Sequence, residues 1–136
     1  MNILFLCVAN SARSQLAEAL CRQMLGSKCQ SIQSAGSAPT QIAQEAIEVL
    51  REIGVDASHQ KSKSVSEINS QDVDLVITLC EEEACPVLLK TVRCQHWPMP
   101  DPARISNKKE RMEEFRRLRD LITDRLKDFK KTLENS

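Results

Sequence analysis

Apolar residues in this chain form short uninterrupted runs separated by longer stretches in which they recur periodically. Residues 2–7 are apolar at nearly every position, which predicts a central strand covered on both faces. Residues 73–79 form a similar run, and the weaker patterns at 29–34 and 92–97 predict two more strands. Residues 34–39 read as a loop, and residues 55–70 as a polar surface segment with one short helix at most.

Three stretches have apolar residues spaced three and four positions apart, which is the spacing of one helix face. The first begins after Ser14 and ends at Gly26. The second is predicted to be capped by Thr40 and to end at Gly54. The third begins near Ser106 and continues towards the C-terminus. Its apolar stripe consists of Met112, Phe115, Leu118, Ile122, Leu126, Phe129 and Leu133.

Strands that alternate with helices predict an α/β fold in which helices cover both faces of a parallel sheet. We therefore expect one three-layer domain over residues 1–136, built on a four-stranded parallel sheet. Ligands bind beyond the carboxyl ends of the strands in such sheets. The loops after residues 7, 79 and 97 leave these ends, and all three carry chemically capable side chains.

Composition and charge narrow the classes of function. The chain is 41% hydrophobic and 28% charged, which is typical of a globular protein. Its 19 basic and 19 acidic residues balance, which argues against nucleic-acid binding through a large positive field. No apolar run approaches the length of a membrane span, and the N-terminal run lacks the basic start of a signal peptide. We therefore expect a cytoplasmic monomer without nucleic-acid or membrane partners.

The six cysteines are not expected to form a structural disulfide framework, because the chain has no secretion signal. They are then buried apolar thiols, metal ligands, or redox and nucleophilic groups. Cys21 lies on the apolar face of the first predicted helix and is predicted to be a core thiol, and Cys29 has no feature that indicates chemistry. The other four cysteines are the candidates for chemistry.

Cys7 ends the first strand, and the segment after it leads into the first helix. Backbone amides between such a strand and helix can form a nest that binds an oxyanion. The same field lowers the pKa of Cys7 and favours a nucleophilic thiolate. The predicted oxyanion-binding loop consists of Val8, Ala9, Asn10, Ser11, Ala12, Arg13 and Ser14.

Four side chains of this loop have expected uses. Arg13 can present two parallel donors to an anion. Ser14, like Ser11, can hydrogen-bond the thiolate or the loop. Asn10 is the residue best suited to a left-handed backbone, because the loop contains no glycine. The alternative interpretation of the segment is a buried thiol followed by a helix-capping serine.

Cys80 follows a strand that should lie beside the first, so its thiol can approach Cys7. Cys85 comes five residues later, and an intact helix would separate their α-carbons by about 7.5 Å. A disulfide tolerates no more than about 7 Å, so a bond between them would require the segment to bend. Core thiols remain an alternative, as does a zinc site with Cys94 and His96, although the spacing fits zinc motifs poorly.

Asp101 lies among Pro98, Pro100 and Pro102, so its loop should be stiff and extended. A carboxyl group aimed by such a loop can protonate a departing oxygen. The alternative is a solvated turn aspartate, because Asp-Pro is common in turns. The two histidines, His59 and His96, are predicted to make structural hydrogen bonds.

These motifs together resemble the low-molecular-weight protein tyrosine phosphatases and the arsenate reductases built on the same fold. The first motif is Cys7 followed after five residues by Arg13-Ser14, and the second is Asp101-Pro102. The resemblance continues through Asn10-Ser11, Ser14-Gln-Leu-Ala-Glu18, Ser34-Ala-Gly36, Val76-Ile-Thr-Leu-Cys80, Cys85-Pro86 and His96-Trp97. It spans nearly the whole chain, and its later motifs are similar to those of thioredoxin-coupled arsenate reductases.

The resemblance implies reduction of arsenate to arsenite without a bound cofactor or metal. Cys7 would attack arsenic while Asp101 protonates the leaving hydroxide. Cys80 would then attack the Cys7 sulfur and release arsenite, and Cys85 would attack Cys80. The segment carrying the new disulfide would loosen and expose it to thioredoxin. Cys94 is the other candidate for the last thiol.

Two other functions stay open from the sequence. A tyrosine phosphatase would use Cys7, Arg13 and Asp101 alone, but phosphatases of this fold line the cleft with aromatic rings. This chain has no tyrosine, and aromatic residues make up 3% of it. The second alternative is a non-catalytic module that is stabilised by zinc or senses oxidation through its thiols.

Some related reductases hold a potassium ion beside the anion loop through Asn, Glu, Ser and Asp. Asn10, Glu18 and Ser34 match the first three of these positions, and Lys63 stands at the fourth. A lysine would repel the cation and could itself supply the positive charge.

Overall fold

Four parallel strands form one sheet: β1 (Asn2–Cys7), β2 (Ser31–Gly36), β3 (Leu75–Thr78) and β4 (Arg93–His96). Their order across the sheet is β2-β1-β3-β4. The computed structural model describes residues 1–81 and 92–134. The predicted α/β class and its four-stranded parallel sheet are confirmed. Cys85 lies outside the described residues.

The two central strands are buried because nearly all of their side chains are apolar. β1 is buried from Ile3 to Cys7, and β3 is buried throughout. β4 is an edge strand with polar residues, and most of it is exposed. The apolar runs therefore predicted the centre of the sheet, and the weaker pattern at 92–97 predicted its edge.

The second strand lies two residues later than the predicted 29–34. Ser34, Ala35 and Gly36 pair with the last three residues of β1. The prediction of a loop starting at residue 34 was therefore wrong. Small residues fit here because β2 ends where the sheet packs closely against the segment after β1.

Within the described residues, three α-helices pack in one layer: α1 (Arg13–Leu25), α2 (Gln44–Arg51) and α3 (Lys108–Glu134). Their buried residues share one core with Ile3, Phe5 and Ile77 of the sheet. Leu4, Leu6 and other residues form a second core, into which Val65, Ile68 and Val92 pack. None of the described helices combines the length and apolarity that a membrane span requires.

All three predicted helices are present, but their starts differ: α1 begins at Arg13, before Ser14, α3 begins two residues after Ser106, and α2 differs most. The buried stripe of α3 consists of Phe115, Leu118, Ile122, Leu126 and Phe129. Thr40 does not cap α2, which begins four residues later with Ala43 at its N-cap. The Thr40 amide instead donates to the carbonyl oxygen of Ala9. Residues 55–70 contain a single-turn 3₁₀ helix at Val65–Glu67, and another follows at Ser70–Asp72.

All four aromatic side chains of the protein are buried in the helix-side core. The Trp97 ring lies 6.4 Å from the Phe5 ring and 5.8 Å from the Phe129 ring. Arg125 stacks on the outer side of Trp97, with its guanidinium carbon 5.1 Å from the ring centre. The aromatic rings thus fasten α3 to the sheet.

Gly36 allows the end of β2 to approach the segment after β1. A β-carbon at this position would lie 2.4 Å from the Val8 carbonyl oxygen and 2.9 Å from the Asn10 amide nitrogen. Both atoms belong to backbone, so neither can rotate away. A side chain here would have to displace the loop itself.

We expect Gly36→Ala to destabilise the protein by about 1 to 3 kcal/mol, the usual cost of overpacking, and to weaken binding of inorganic phosphate. Urea denaturation and phosphate titration measure the two effects. The matched control is Gly54→Ala, which has open space around it but a φ of 79°. That control should cost stability through backbone strain and leave phosphate affinity unchanged. Equal phosphate affinity in both variants would contradict a role for Gly36 in shaping the loop.

Candidate active site

The loop after β1 has its carbonyl oxygens bonded outward. Those of Val8, Ala9 and Ser11 accept hydrogen bonds of 2.9–3.0 Å from backbone amides of residues 38–43. The C=O and N–H of one trans peptide point in opposite directions. The amides that follow these carbonyls therefore point to the other side of the loop. This is the arrangement of an anion-binding nest.

Asn10 is the turning point of the loop and is completely buried. Its φ is 49°, so the predicted left-handed backbone is confirmed. Its carbonyl oxygen accepts from Ser62 Oγ at 2.6 Å and from Gln15 Nε2 at 3.0 Å. Its side-chain oxygen accepts from the Lys63 amide at 2.9 Å. These bonds hold a conformation that a non-glycine residue adopts only at a cost.

A short hydrogen-bonded chain leads from Asn10 to the Cys7 sulfur. Asn10 Nδ2 donates to Ser14 Oγ at 2.7 Å, and Ser14 Oγ lies 2.7 Å from Cys7 Sγ. Because the serine oxygen accepts from the asparagine, its single proton can be directed at the sulfur. The predicted interaction of Ser14 with the thiolate is present.

The pKa of Cys7 is lowered from 9.0 to about 6. The largest cause is a hydrogen bond from the Cys80 side chain, which stabilises the thiolate. Burial acts in the opposite direction, while hydrogen bonds from Ser14 and the charge of Arg13 lower the pKa further. The balance leaves most of Cys7 ionised at neutral pH.

Cys80 reaches Cys7 because their strands are neighbours. Leu6 pairs with Thr78, and the Leu79 amide donates to the Leu6 carbonyl oxygen at 2.8 Å. Cys80 comes directly after Leu79, and Cys80 is only 2% exposed. The two thiols therefore meet at the carboxyl end of the sheet, as the strand order led us to expect.

Arg13 and Asp101 come together at the same edge. Arg13 is buried at the start of α1, and its Nη1 donates to the Met99 carbonyl oxygen at 3.0 Å. Its Nη2 lies 4.0 Å from Asp101 Oδ2. The other carboxylate oxygen of Asp101 accepts from the Ala103 amide at 3.0 Å. This bond caps the 3₁₀ turn Pro102–Arg104 and aims the carboxyl group.

Three polar residues without a predicted role support the loop, either directly or through one another. Gln15 and Gln60 are buried, and Arg22 forms an ion pair of 3.0 Å with Glu18. The spacing of Glu18 and Arg22 is that of a helical ion pair, so this contact had a visible signal. The contact between the two glutamines had none, because 45 residues separate them.

The residues that match a potassium site do not suit that ion here. Glu18 accepts from Ser34 Oγ on one oxygen and from Arg22 on the other. The Asn10 side-chain oxygen already accepts from the Lys63 amide. A guanidinium therefore lies where a cation would need oxygen ligands. Lys63 contributes to the loop through its backbone.

The remaining thiols and histidine occupy separate places. Cys21 is buried, and burial is the main cause that raises its pKa to about 12; Cys29 packs against the same core. Cys94 lies on exposed β4 opposite Val76. His96 hydrogen-bonds Thr78 Oγ1. Within residues 1–81 and 92–134, no three His, Cys, Asp or Glu side chains are grouped to hold a metal.

Comparison with known proteins gives a family and close relatives. The family described as Low molecular weight phosphotyrosine protein phosphatase matches residues 2–136. An arsenate reductase of Bacillus subtilis (strain 168) is 38% identical over 133 residues, covering 96% of this chain and 95% of the relative. Arsenate reductase 1 of Staphylococcus haemolyticus is 36% identical over 133 residues, covering 96% of each.

Solved structures agree with this comparison. An arsenate reductase in the phosphate binding state is similar with a TM-score of 0.83 and 29% identity, covering 95% of this chain and 96% of the other. The tyrosine phosphatase Wzb of Escherichia coli K30, in complex with sulphate, gives a TM-score of 0.78 at 24% identity, with 97% of each chain covered. The second likeness shows the shared fold.

We expect the thiolate of Cys7 to titrate with a midpoint near its pKa of about 6. Ser14→Ala removes a donor that stabilises the charged form, so it should raise this midpoint by about half a unit to one unit. Ultraviolet thiolate absorbance against pH measures the shift, and subtracting the Cys7→Ser spectrum isolates this thiol. Ser27→Ala, on the exposed surface, is the control. Superimposable curves for wild type and Ser14→Ala would contradict the assigned hydrogen bond.

Proposed function

The chain belongs to the low molecular weight phosphotyrosine protein phosphatase family, and we propose that it reduces arsenate to arsenite with Cys7 as the nucleophile. The observation behind this proposal is the second thiol, Cys80, which hydrogen-bonds the Cys7 sulfur. Hydrolysis of a phosphate ester needs one cysteine. Reduction of arsenic from As(V) to As(III) needs two electrons, which two thiols supply by forming a disulfide. The relatives named arsenate reductase support this assignment.

The first step is attack of the Cys7 thiolate on arsenate held in the loop. The amides after Val8 and the guanidinium of Arg13 neutralise the anion's charge. A sulfur–arsenic bond forms and an arsenic–oxygen bond breaks. Asp101, whose carboxyl oxygen lies 4.0 Å from Arg13, gives its proton to the leaving oxygen, which departs as water.

The second step transfers the electrons. Cys80, as a thiolate, attacks the Cys7 sulfur, so that a disulfide forms and the sulfur–arsenic bond breaks. The electron pair of that bond stays on arsenic, and arsenite leaves. The contact in the resting site supports this order, because Cys80 is the donor and Cys7 the thiolate. Once Cys7 is bonded to arsenic, its negative charge is gone and Cys80 loses that stabilising contact for its proton.

The third step moves the disulfide outward. Cys85 is our proposed final thiol: its thiolate attacks Cys80, releasing Cys7 as a thiolate. A dithiol protein of the thioredoxin class then reduces the Cys80–Cys85 bond. Cys94 fits this role poorly, because it pairs with Val76, four residues before Cys80 along the strand. Four strand residues span about 13 Å, well beyond the roughly 7 Å limit for a disulfide.

The position of the aromatic residues favours a small oxyanion over a phosphotyrosine. All four aromatic rings of the protein are packed in the core. After Asp101 and Pro102 the chain continues with Ala103 and Arg104, which are exposed and carry no ring. An aryl phosphate would therefore gain little stacking at the mouth of the site. Hydrolysis of such esters by Cys7, Arg13 and Asp101 is the alternative activity.

We expect Cys80→Ser to abolish repeated arsenate reduction and to preserve most of any hydrolysis of para-nitrophenyl phosphate. The first reaction needs the second thiol, whereas the second needs the Cys7 loop and the acid. Arsenate-dependent NADPH oxidation with thioredoxin and thioredoxin reductase measures reduction. Hydrolysis should be followed above pH 7, where a modest rise in the pKa of Cys7 has little effect on the thiolate fraction.

Cys94→Ser is the matched control, because Cys94 is an exposed thiol on the edge strand. It should retain both activities. If Cys80→Ser loses both activities together, Cys80 supports the fold of the site and the phosphatase alternative gains weight. If it retains arsenate reduction, the proposed relay is wrong.

A single turnover of arsenate without reductant should leave a Cys80–Cys85 disulfide. Peptide mapping by mass spectrometry identifies the bond, and Cys85→Ser should trap the preceding Cys7–Cys80 bond. A Cys80–Cys94 bond would reassign the last thiol. A lasting Cys7–Cys80 bond in the wild-type protein would show that no third cysteine takes part.

A further inference from the structure

Two buried glutamines connect α1 and the segment after α2 to the anion loop. Gln60 donates from Nε2 to Gln15 Oε1 at 2.7 Å and to the Gln15 carbonyl oxygen at 3.2 Å. Gln15 in turn donates from Nε2 to the carbonyl and side-chain oxygens of Asn10, at 3.0 and 3.1 Å, and to the Lys61 carbonyl oxygen at 3.0 Å. Gln15 is fully buried and Gln60 is 8% exposed.

The direction of these bonds is fixed at the outer end by a group that can only donate. The guanidinium of Arg22 carries donors and no acceptor atom, and its Nη1 lies 3.5 Å from Gln60 Oε1. The oxygen of Gln60 therefore faces Arg22, and its nitrogen faces Gln15. Gln15 must then accept from Gln60 through its own oxygen, which turns its nitrogen towards Asn10.

A second obligate donor fixes the inner end. The backbone amide of Lys63 donates to Asn10 Oδ1 at 2.9 Å, so Asn10 Nδ2 faces Ser14. Ser14 accepts this bond and can direct its proton at Cys7. From Gln60 through Gln15 and Asn10 to Ser14, each side chain thus donates to the next one in the direction of the sulfur. Hydrogen bonds aligned in this way polarise one another and favour a negative charge at the accepting end.

We propose that Gln60 is a positioning residue for Cys7: by donating to Gln15 it holds Asn10 in its left-handed turn and keeps the donors of the loop directed at the sulfur and at a bound oxyanion. This inference concerns the nucleophile of the proposed function, but it depends only on Cys7 being a thiolate beside an anion site. Gln60 touches neither the sulfur nor the loop amides and acts through Gln15.

The turn at Asn10 explains why a remote residue matters. A left-handed asparagine persists only when its surroundings over-determine it. Gln15 supplies two of the hydrogen bonds to Asn10, and the orientation of its amide depends on Gln60. If Gln60 could not donate, the Gln15 amide could rotate and present its oxygen to the oxygens of Asn10 and Lys61. That arrangement is repulsive.

Charged and titratable groups around both ends must be distinguished from this effect. Cys7 faces Arg13 of α1 and Cys80 after β3, with Asp101 beyond Arg13. Gln60 faces Arg22 of α1, and Arg22 also binds Glu18. The residues on either side of Gln60 in the chain, His59 and Lys61, are exposed. A neutral substitution at Gln60 changes none of these charges.

The test compares Gln60→Met with wild type. Methionine has nearly the same length as glutamine but cannot donate to Gln15. The readout is the pH dependence of Cys7 alkylation by iodoacetamide, followed on the Cys7 peptide by mass spectrometry. We expect the midpoint to rise by about half a unit, which lowers the alkylation rate at pH 6 about twofold. The affinity for inorganic phosphate should fall severalfold.

Gln60→Glu is the second variant, because it can pair with Arg22 and so retain the packing of the segment. Its carboxylate cannot donate to Gln15, and it adds a negative charge. The midpoint should therefore rise further than in Gln60→Met. Gln71→Met, at an exposed position before β3, is the matched control and should behave as wild type.

An unchanged midpoint and an unchanged phosphate affinity in both Gln60 variants would overturn the proposal, even if their melting temperatures fell. In that case the glutamines would only fasten the segment to α1. Neither readout uses arsenate. A shift in the midpoint from a protein that fails to reduce arsenate would therefore support the role of Gln60 and reject the proposed function.

Discussion

The orientation of the peptide groups after Cys7 is the constraint on which the rest of the site depends. The loop carbonyls of Val8, Ala9 and Ser11 bond outward to residues 38–43, which turns the following amides the other way. The segment after β2 must stay extended to supply those donors, so α2 starts late. β2 must end in a glycine, because any side chain would collide with Val8. A backbone requirement of one loop thus sets the ends of two neighbouring elements.

The surroundings of the same loop decide the ionisation of Cys7. Burial alone would raise the pKa of Cys7, as it does that of Cys21 in the helix core. Around Cys7 the hydrogen bonds from Cys80 and Ser14 and the charge of Arg13 outweigh burial, so its pKa falls to about 6. The Cys80 side chain makes the largest of these contributions by hydrogen-bonding the Cys7 sulfur. One contact therefore raises the fraction of Cys7 that is present as the reactive thiolate near neutral pH.

The sequence predicted those features that follow from local periodicity and from the strand-end rule. β1, the stripe of α3 and the meeting of Cys7 with Cys80 are of this kind. The left-handed Asn10 was predictable because the loop lacks glycine. The late start of α2 was not, because the bond from Thr40 to Ala9 joins residues far apart in sequence. Gln60 was hidden for the same reason: a single glutamine has no periodic or motif signal, and only the folded chain brings it to Gln15.

The core and the chemistry of the site are connected through the aromatic residues. Phe5, Trp97 and Phe129 form one packed row, and this row fastens the long α3 helix to the sheet. Trp97 follows the last residue of β4, close to the loop that carries Asp101, yet its ring is turned into the core and covered by Arg125. The protein therefore uses its few aromatic rings for stability, and the anion loop offers backbone amides and the Arg13 guanidinium. Such a loop discriminates by the charge and size of an anion, which supports the small tetrahedral oxyanion proposed above as the substrate.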